Sequence, residues 1–445
     1  MRTSKVIKII IAVLLFCLLN SLLTFMLTPP VASSEKMWAQ YRNVKDIDTV
    51  FTGTSLCYAA IDCNAVDSVL GSKSFNMGTA SQELNNSYEA IEAAIKDHNI
   101  KRVILTFSYL NLIEYNNIQA ETCFFKERIK GLPFTQKVKE SFAFAFNKRN
   151  FSKPTSINFI FPWIYSHVKF RPGPIIANTK KKLNGNKEAI AEMASTINTA
   201  SKDTINYNTI GNENSKTVYV GLKYNFGKFT GEVFDQLNSI ISLCKNNNVD
   251  LMLINPPKPR LDVLCYGDEY FNLNKFVNEY AEKQGFDYYD FNIIKPEMFV
   301  NEEDYYLDFE HMNVKGQQAF SYALANFIKL RDSGADLSDL FYTENEYFNS
   351  IKTISCIYFD IENKTSDSVD ITAHAYTGKN VTVLYELLLK SENENDYSVI
   401  QDYSTESSFH ISSLKPGNYT IRVNARTEVS STNYDRYYEQ ALSIR

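Results

Sequence analysis

Histidine is scarce in this chain: five occur in 445 residues, at positions 98, 167, 311, 374 and 410. Chemistry that needs a neutral base near pH 7 draws on imidazole before any other side chain, so only a few positions can supply one. The seven cysteines (Cys17, Cys57, Cys63, Cys123, Cys244, Cys265 and Cys356) are scattered and form no CxxC pair. That pattern argues against a zinc site and against a disulfide scaffold, and it leaves small buried hydrophobes, with an isolated disulfide as the alternative. No metal or cofactor is called for. Nor is there a dominant block of charge: the net charge is −5, so no nucleic-acid footprint is expected.

What the chain does hold is ample apolar material. It is 44% hydrophobic and 22% charged, the composition of a globular protein with at least two folded units. At the amino terminus Arg2, Lys5 and Lys8 precede an apolar run from Ile9 to Thr28. About twenty such residues cross a bilayer as a helix, and the cationic flank sets the amino end inside. The expectation is a cytoplasmic tail at 1–8, a single span at 9–28, a polar linker at 29–45 and everything later outside the cytoplasm. A cleaved signal peptide is the rival reading, although no clear A-x-A site follows the run.

A strand–helix alternation then begins. DTVFTG reads as a buried strand, Cys57 to Leu70 as a helix, KSFNMG as a strand, Gln82 to His98 as a helix and KRVILTFSY as a third strand. From about 116 to 227 the rhythm lapses into a Lys-, Asn-, Phe- and Tyr-rich stretch. It reads as an insertion forming a lid or substrate wall, or else a separate subdomain. The alternation resumes with a helix near Thr230 to Asn246, the strand VDLMLINPP, a helix from Asn272 to Gln284 and the strand FDYYDFN. Asn313 is placed to cap a last helix, Val314 to Leu330. The order predicts an α/β domain over 46–335 with about five parallel strands and helices on both faces. From 350 to 445 short period-two strands such as SVDITAHAY and YTIRVNAR, separated by turns such as KPGN, predict a small antiparallel sandwich.

Two stretches carry the chemistry. VFTGTSLCYAAID ends a strand in a small turn that presents Ser55, at the sheet edge where open α/β folds place their sites. YYLDFEHMNVKG carries Asp308 and His311 just before a helix. A serine hydroxyl needs a base to take its proton, and the base needs a partner to fix its tautomer. His98 lies at a helix end, and His374 and His410 lie in sandwich strands; His311 is the one with a carboxylate three residues upstream in a loop. Within the insertion, FPWIYSHVKFRPGP offers Trp163, Tyr165, His167, Lys169 and Arg171 as a sugar platform, or as an aromatic patch packing the insertion onto the main sheet.

Taken together and in this order, GTS at Gly53 to Ser55, NMG at Asn76 to Gly78 and DFEH at Asp308 to His311 resemble the SGNH (GDSL-like) hydrolase family over roughly 44–330, with the insertion interrupting. The resemblance implies a flavodoxin-like three-layer fold, with Ser55 as nucleophile, His311 as base and Asp308 as its orienter. It also implies an oxyanion hole using the backbone amides of Ser55 and Gly78. Two departures stand out: Thr54 replaces the usual Asp before the serine, and LTFSYLNL stands where the family has GxND. Ser108, Asn111 or a group from the insertion is left to supply the missing donor, whose loss costs about two to three powers of ten in rate. An anchored member without GxND looks like the envelope acyl-transfer branch. That implies a cell-surface glycan substrate, O-acyl and chiefly O-acetyl groups, and a multi-span membrane protein as acyl donor. Acyl transfer, hydrolysis and a non-catalytic glycan-binding scaffold are the three readings carried forward. The tail resembles fibronectin type III and triple-tyrosine sandwich modules, which implies binding or spacing.

Overall fold

The computed structural model describes residues 2–29, 32–112, 117–184 and 231–445. The described chain divides at Asn255 into two compact units. The division falls inside the stretch that reads from sequence as one α/β domain.

The first unit opens with α1 (Arg2–Leu27), whose Lys5–Leu27 portion is long and apolar enough to cross a membrane. The expected linker is instead a helix, α2 (Ala32–Tyr41). Met37, Trp38 and Tyr41 fall on one side of it and are buried, with Trp38 edge-on to Tyr41 and to Phe124, each at 5.4 Å. Their burial outweighs the polar residues that made the segment read as a linker. Next come β1 (Thr49–Thr52), α3 (Ser55–Ala60), α4 (Cys63–Leu70), β2 (Ser74–Asn76), α5 (Leu84–Asp97) and β3 (Arg102–Thr106). The single helix expected over Cys57 to Leu70 is two. Ile61 is extended, and Asp62 starts α4 afresh by accepting from the Asn64 amide at 3.0 Å.

The described part of the insertion is helical throughout: α6 (Ile118–Ile129), α7 (Phe134–Ala145), α8 (Lys148–Ser152), α9 (Thr155–Ile160), α10 (Pro162–Tyr165) and α11 (Pro172–Leu183). The remainder of it, from 185, lies outside the described residues. Phe125, Ile129 and Phe144 form its small core, with Phe125 stacked on Phe144 at 4.0 Å. Arg149 ties this layer to the α/β layer. It pairs with Glu83 at 3.0 Å, ahead of α5, with Glu121 of α6, and with Glu232 of α12 (Gly231–Asn246). The unit closes on β4 (Asp250–Asn255).

Strands β1 to β4 pair in parallel, β1 lying between β2 and β3 with Val50 opposite Phe75 and Val103, and β3 pairing β4. With β5 (Asp287–Asp290) the sheet has five strands in the order β2-β1-β3-β4-β5. The α/β class and strand number expected from the sequence are therefore present.

The second unit adds α13 (Leu261–Tyr266), α14 (Asp268–Gln284), α15 (Val314–Asp332) and α16 (Glu344–Ser350). Asn313 caps α15 as expected, accepting from the Gly316 amide at 3.0 Å. Beyond α16 lie β6 (Cys356–Glu362), β7 (Val369–Tyr376), β8 (Val383–Ser391), β9 (Ser398–Ser404), β10 (Ser408–Ile411), β11 (Gly417–Thr427) and β12 (Arg436–Ile444). They form two antiparallel sheets, β10-β7-β6 and β12-β11-β8-β9, around one apolar core that includes Phe359, Ile371, Leu387 and Val423. The antiparallel tail is as expected, with β12 as an additional strand.

Candidate functional site

Ser55 opens α3 at the carboxyl end of β1. The first bend is made by Gly53, whose φ of +139° favours glycine and whose added Cβ would fall 2.0 Å from Thr106 Oγ1. The turn thus lies directly against β3. Thr54 is the N-cap of α3, and its hydroxyl accepts from the Leu56 amide at 3.3 Å. A hydroxyl therefore supports this turn. Below it, buried Gln82 donates to Thr52 Oγ1 at 2.7 Å and to Ser87 Oγ at 3.1 Å, which closes the floor with paired polar groups.

Gly78 sits against the same helix. An added Cβ there would meet Cys57 Cβ at 2.7 Å, so only glycine fits without a shift. Its amide donates to Asn76 Oδ1 at 2.9 Å, while Asn76 Nδ2 donates to the carbonyls of Cys57 (3.1 Å) and Ile61 (3.2 Å). Asn76 is thus a clamp between the β2 exit and α3, a role its place in the NMG triplet did not announce. Cys57 is wholly buried, and burial pushes its thiol well above the usual range, so it stays neutral beside the serine.

After β3, Asn111 Oδ1 accepts from the Ser108 amide at 2.8 Å and the Ser108 hydroxyl at 3.2 Å. Fixing the oxygen in this way turns the amide nitrogen of Asn111 away from Ser108. Sheet order reverses direction between β1 and β3, and the exits of those two strands are where open α/β sheets bind ligands.

In the second unit Asp308 and His311 are in direct contact. His311 Nδ1 lies 3.1 and 3.0 Å from the two oxygens of Asp308, and Asp308 Oδ1 also accepts from the amides of Glu310 and His311, both at 2.8 Å. Burial works against charge on both groups. Their mutual hydrogen bond and charge overcome it, so Asp308 is held below the usual carboxylate range and His311 above its ordinary value.

The loop that carries the pair is itself held by residues far away in sequence. Tyr306 bridges to Met312, and the Leu307 amide donates to the His311 carbonyl at 2.9 Å. Tyr306 donates its hydroxyl to Asn301 Oδ1 at 2.5 Å, Asn301 Nδ2 donates to the Lys258 carbonyl at 2.9 Å, and the Lys258 amide donates to Asn292 Oδ1 at 2.7 Å. Buried Lys258 pairs with Asp262 at 3.3 Å. Gly316 lets α15 approach the loop, since a Cβ there would fall 2.4 Å from the Tyr305 carbonyl oxygen.

The other histidines have separate engagements. His98 packs edge-on to Tyr41, His374 stacks on Tyr358 and His410 pairs with Asp370. The insertion segment offered as a sugar platform or a packing patch places its aromatics differently. Trp163 donates its indole N–H to Asn20 of α1 at 2.8 Å, and Phe161 packs on Phe16, so these aromatics are spent on the apolar helix. His167 is exposed, packed at a tilt against Phe170 and bonded to the Val168 carbonyl, and Arg171 is exposed as the N-cap residue of α11. Among the described residues no cluster of His, Cys, Asp and Glu is arranged to hold a metal.

No family model and no curated protein matches the chain. Among solved structures, a redesigned β-sandwich protein is similar over 19% of this chain and 88% of its own, at 16% identity and a TM-score of 0.16. A set of domains from titin is similar over 20% of this chain and 30% of its own, at 14% identity and a TM-score of 0.16.

Proposed function

We propose that the chain is a membrane-anchored, extracytoplasmic serine acyl-transfer enzyme of the SGNH type, acting on O-acyl groups of cell-envelope glycans. The observation that carries this reading is the Asp308–His311 pair. A carboxylate bound to Nδ1 fixes the ring tautomer and leaves Nε2 as the atom that takes a proton. Ser55, on its glycine-hinged turn at the carboxyl end of β1, is the hydroxyl such a base would serve.

In the proposed reaction Ser55 Oγ attacks the ester carbonyl as its proton passes to His311 Nε2. The leaving alkoxide takes that proton, and Ser55 carries the acyl group. A sugar hydroxyl or water then attacks, giving up its proton to His311, and the Ser55 oxygen leaves with that proton, which restores the hydroxyl and the neutral imidazole. The Ser55 and Gly78 amides are the backbone donors to the oxyanion, with Asn111 Nδ2 as the third. Gly78 must share its N–H with Asn76 to do so. Because Trp163 is committed to α1, glycan contact is assigned to other surfaces. A multi-span membrane protein fits as acyl donor, since the span on α1 would hold the enzyme beside it.

The test is labelling of the full chain with a fluorophosphonate serine probe, read by peptide mass spectrometry. Labelling at Ser55 that Ser55→Ala and His311→Ala both abolish supports the triad. Folded protein that takes no label, and whose glycan binding survives Ser55→Ala, would instead indicate the non-catalytic scaffold. Supplying an acylated sugar with and without a sugar acceptor then separates transfer from hydrolysis.

A further inference from the structure

The apolar helix is not a bare anchor. Helices α9 to α11 run alongside its carboxyl half. Asn20 Nδ2 donates to the Ile160 carbonyl and Asn20 Oδ1 accepts from Trp163, both at 2.8 Å. Nearer the helix end, the Val168 amide donates to the Leu27 carbonyl at 2.8 Å, Asn178 Nδ2 donates to the carbonyls of Met26 (2.8 Å) and Thr28 (3.2 Å), and Lys182 Nζ donates to the Thr24 carbonyl at 3.1 Å. At a rise of 1.5 Å per residue, Asn20 lies about 12 Å and Phe16 about 18 Å below Thr28. The hydrocarbon core is only about 30 Å thick. If α1 crosses a bilayer, Trp163 and Phe161 therefore lie inside it.

The outward surface of these helices suits that placement. Ile160, Ile164, Tyr165, Phe170, Ile176 and Leu183 are exposed, Phe170 at 61% and Leu183 at 71%. A patch of this kind facing water is a liability, whereas facing lipid it needs no cover. The polar groups pointing at α1 are paired with it, as a low-dielectric setting demands.

At the level of Thr24 to Thr28, α1, α6 and helices α9 to α11 line a cavity of about 330 Å³. Its lining includes Thr28, Lys126 and Lys182, with Glu35 opposing them and Lys130 already paired to Glu127. Lys126 has no carboxylate or hydrogen-bond partner among the described residues; its ammonium lies over the Phe159 ring at 5.3 Å, and burial pulls its pKa down. Thr28 is 6% exposed, and its hydroxyl has no hydrogen-bond partner. A buried hydroxyl without a partner and an unpaired ammonium in the lining of one cavity are donors suited to an anion.

We propose that α9 to α11 are seated in the bilayer leaflet at the carboxyl end of α1, and that the cavity between them takes the phosphate headgroup of an anionic membrane lipid. The proposal rests on α1 crossing the membrane. Lys126 and Lys182 ion-pair the phosphate, Thr28 donates to it, and the acyl chains lie along the exposed apolar faces.

The chain's two tryptophans make the seat measurable. Trp38 is buried against Tyr41 and Phe124, so Trp38→Phe leaves Trp163 as the sole reporter and Trp163→Phe leaves Trp38. In nanodiscs, lipid brominated on its acyl chains should quench Trp163 and spare Trp38. Chain retained in alkali-washed membranes with Trp163 unquenched overturns the seat while keeping the anchor; chain washed out of the membrane overturns both.

For the headgroup, native mass spectrometry of the full chain should show dioleoyl-phosphatidylglycerol retained over dioleoyl-phosphatidylcholine. In K126Q/K182Q this preference should fall about tenfold while Trp163 quenching persists, showing an intact fold. Equal retention of the two lipids, or displacement of phosphatidylglycerol by millimolar inorganic phosphate, overturns the lipid assignment.

Discussion

Gly53 is the most exacting position in the nucleophile turn, and Gly53→Ala gives a worked prediction. The new methyl would sit 2.0 Å from Thr106 Oγ1 and 2.9 Å from the Thr106 carbonyl oxygen, so the turn must back away from β3. Holding a non-glycine residue at φ +139° costs on the order of 1–3 kcal/mol, and overpacking adds about 1–3 kcal/mol. Together these are a large share of a typical domain stability of about 5–15 kcal/mol. Gly71→Ala is the comparator: its φ is +67° and nothing lies within 4 Å of the added Cβ, so it should cost only the backbone part, about 1–2 kcal/mol. Hydrogen exchange of peptides covering β1 and β3 in the full chain reads both as loss of local protection. Thr106→Ala should recover part of the Gly53→Ala loss, with a coupling of about 0.5–3 kcal/mol in the double-mutant cycle. If Gly53→Ala lost no more protection than Gly71→Ala, or if Thr106→Ala brought no relief, the steric account of this turn would be wrong. The same displacement should slow probe labelling at Ser55 in Gly53→Ala and leave it unchanged in Gly71→Ala.

Two further outcomes follow from the titrating groups. His311 is raised above 6.5 and Asp308 lowered below 3.8, so their pairing stabilises fully between those pH values. It is lost as pH rises through the folded value of His311 and as pH falls through that of Asp308. Asp308→Asn should move the His311 ring-proton titration and the acid limb of Ser55 labelling to lower pH while slowing labelling; an unmoved titration would disprove the pairing. Glu89 is pushed up to about 7 from 4.5 by burial first, against the attraction of Arg128 and with repulsion from Glu121, Glu92 and Glu140. The folded state prefers it protonated, so its ionisation costs stability as pH rises from 4.5 through 7. Glu89→Gln should gain roughly 1–3 kcal/mol above pH 7 and little near pH 5, read by urea unfolding at the two pH values.

The parts legible in the sequence are those whose physics is local. An apolar run of span length, the Asn313 cap, period-two strands and a carboxylate three residues before a histidine all act within one or two turns of chain. The Asp308–His311 contact is accordingly present as read. Alternating strands and helices with short links also specify a parallel sheet. What the sequence left open depends on partners far away. The segment FPWIY has the same composition whether it stacks on sugar, fills a core or lies in lipid; only the fold shows that its Trp163 bonds to Asn20, across more than a hundred residues. The linker that became α2 was settled by Phe124, and the loop beneath His311 by Lys258, Asn292 and Asn301. No spacing rule links such residues, because a long loop can close at little extra entropic cost between many pairs of segments. Packing and the pairing of buried polar groups select among them, and those exist only once the chain has folded.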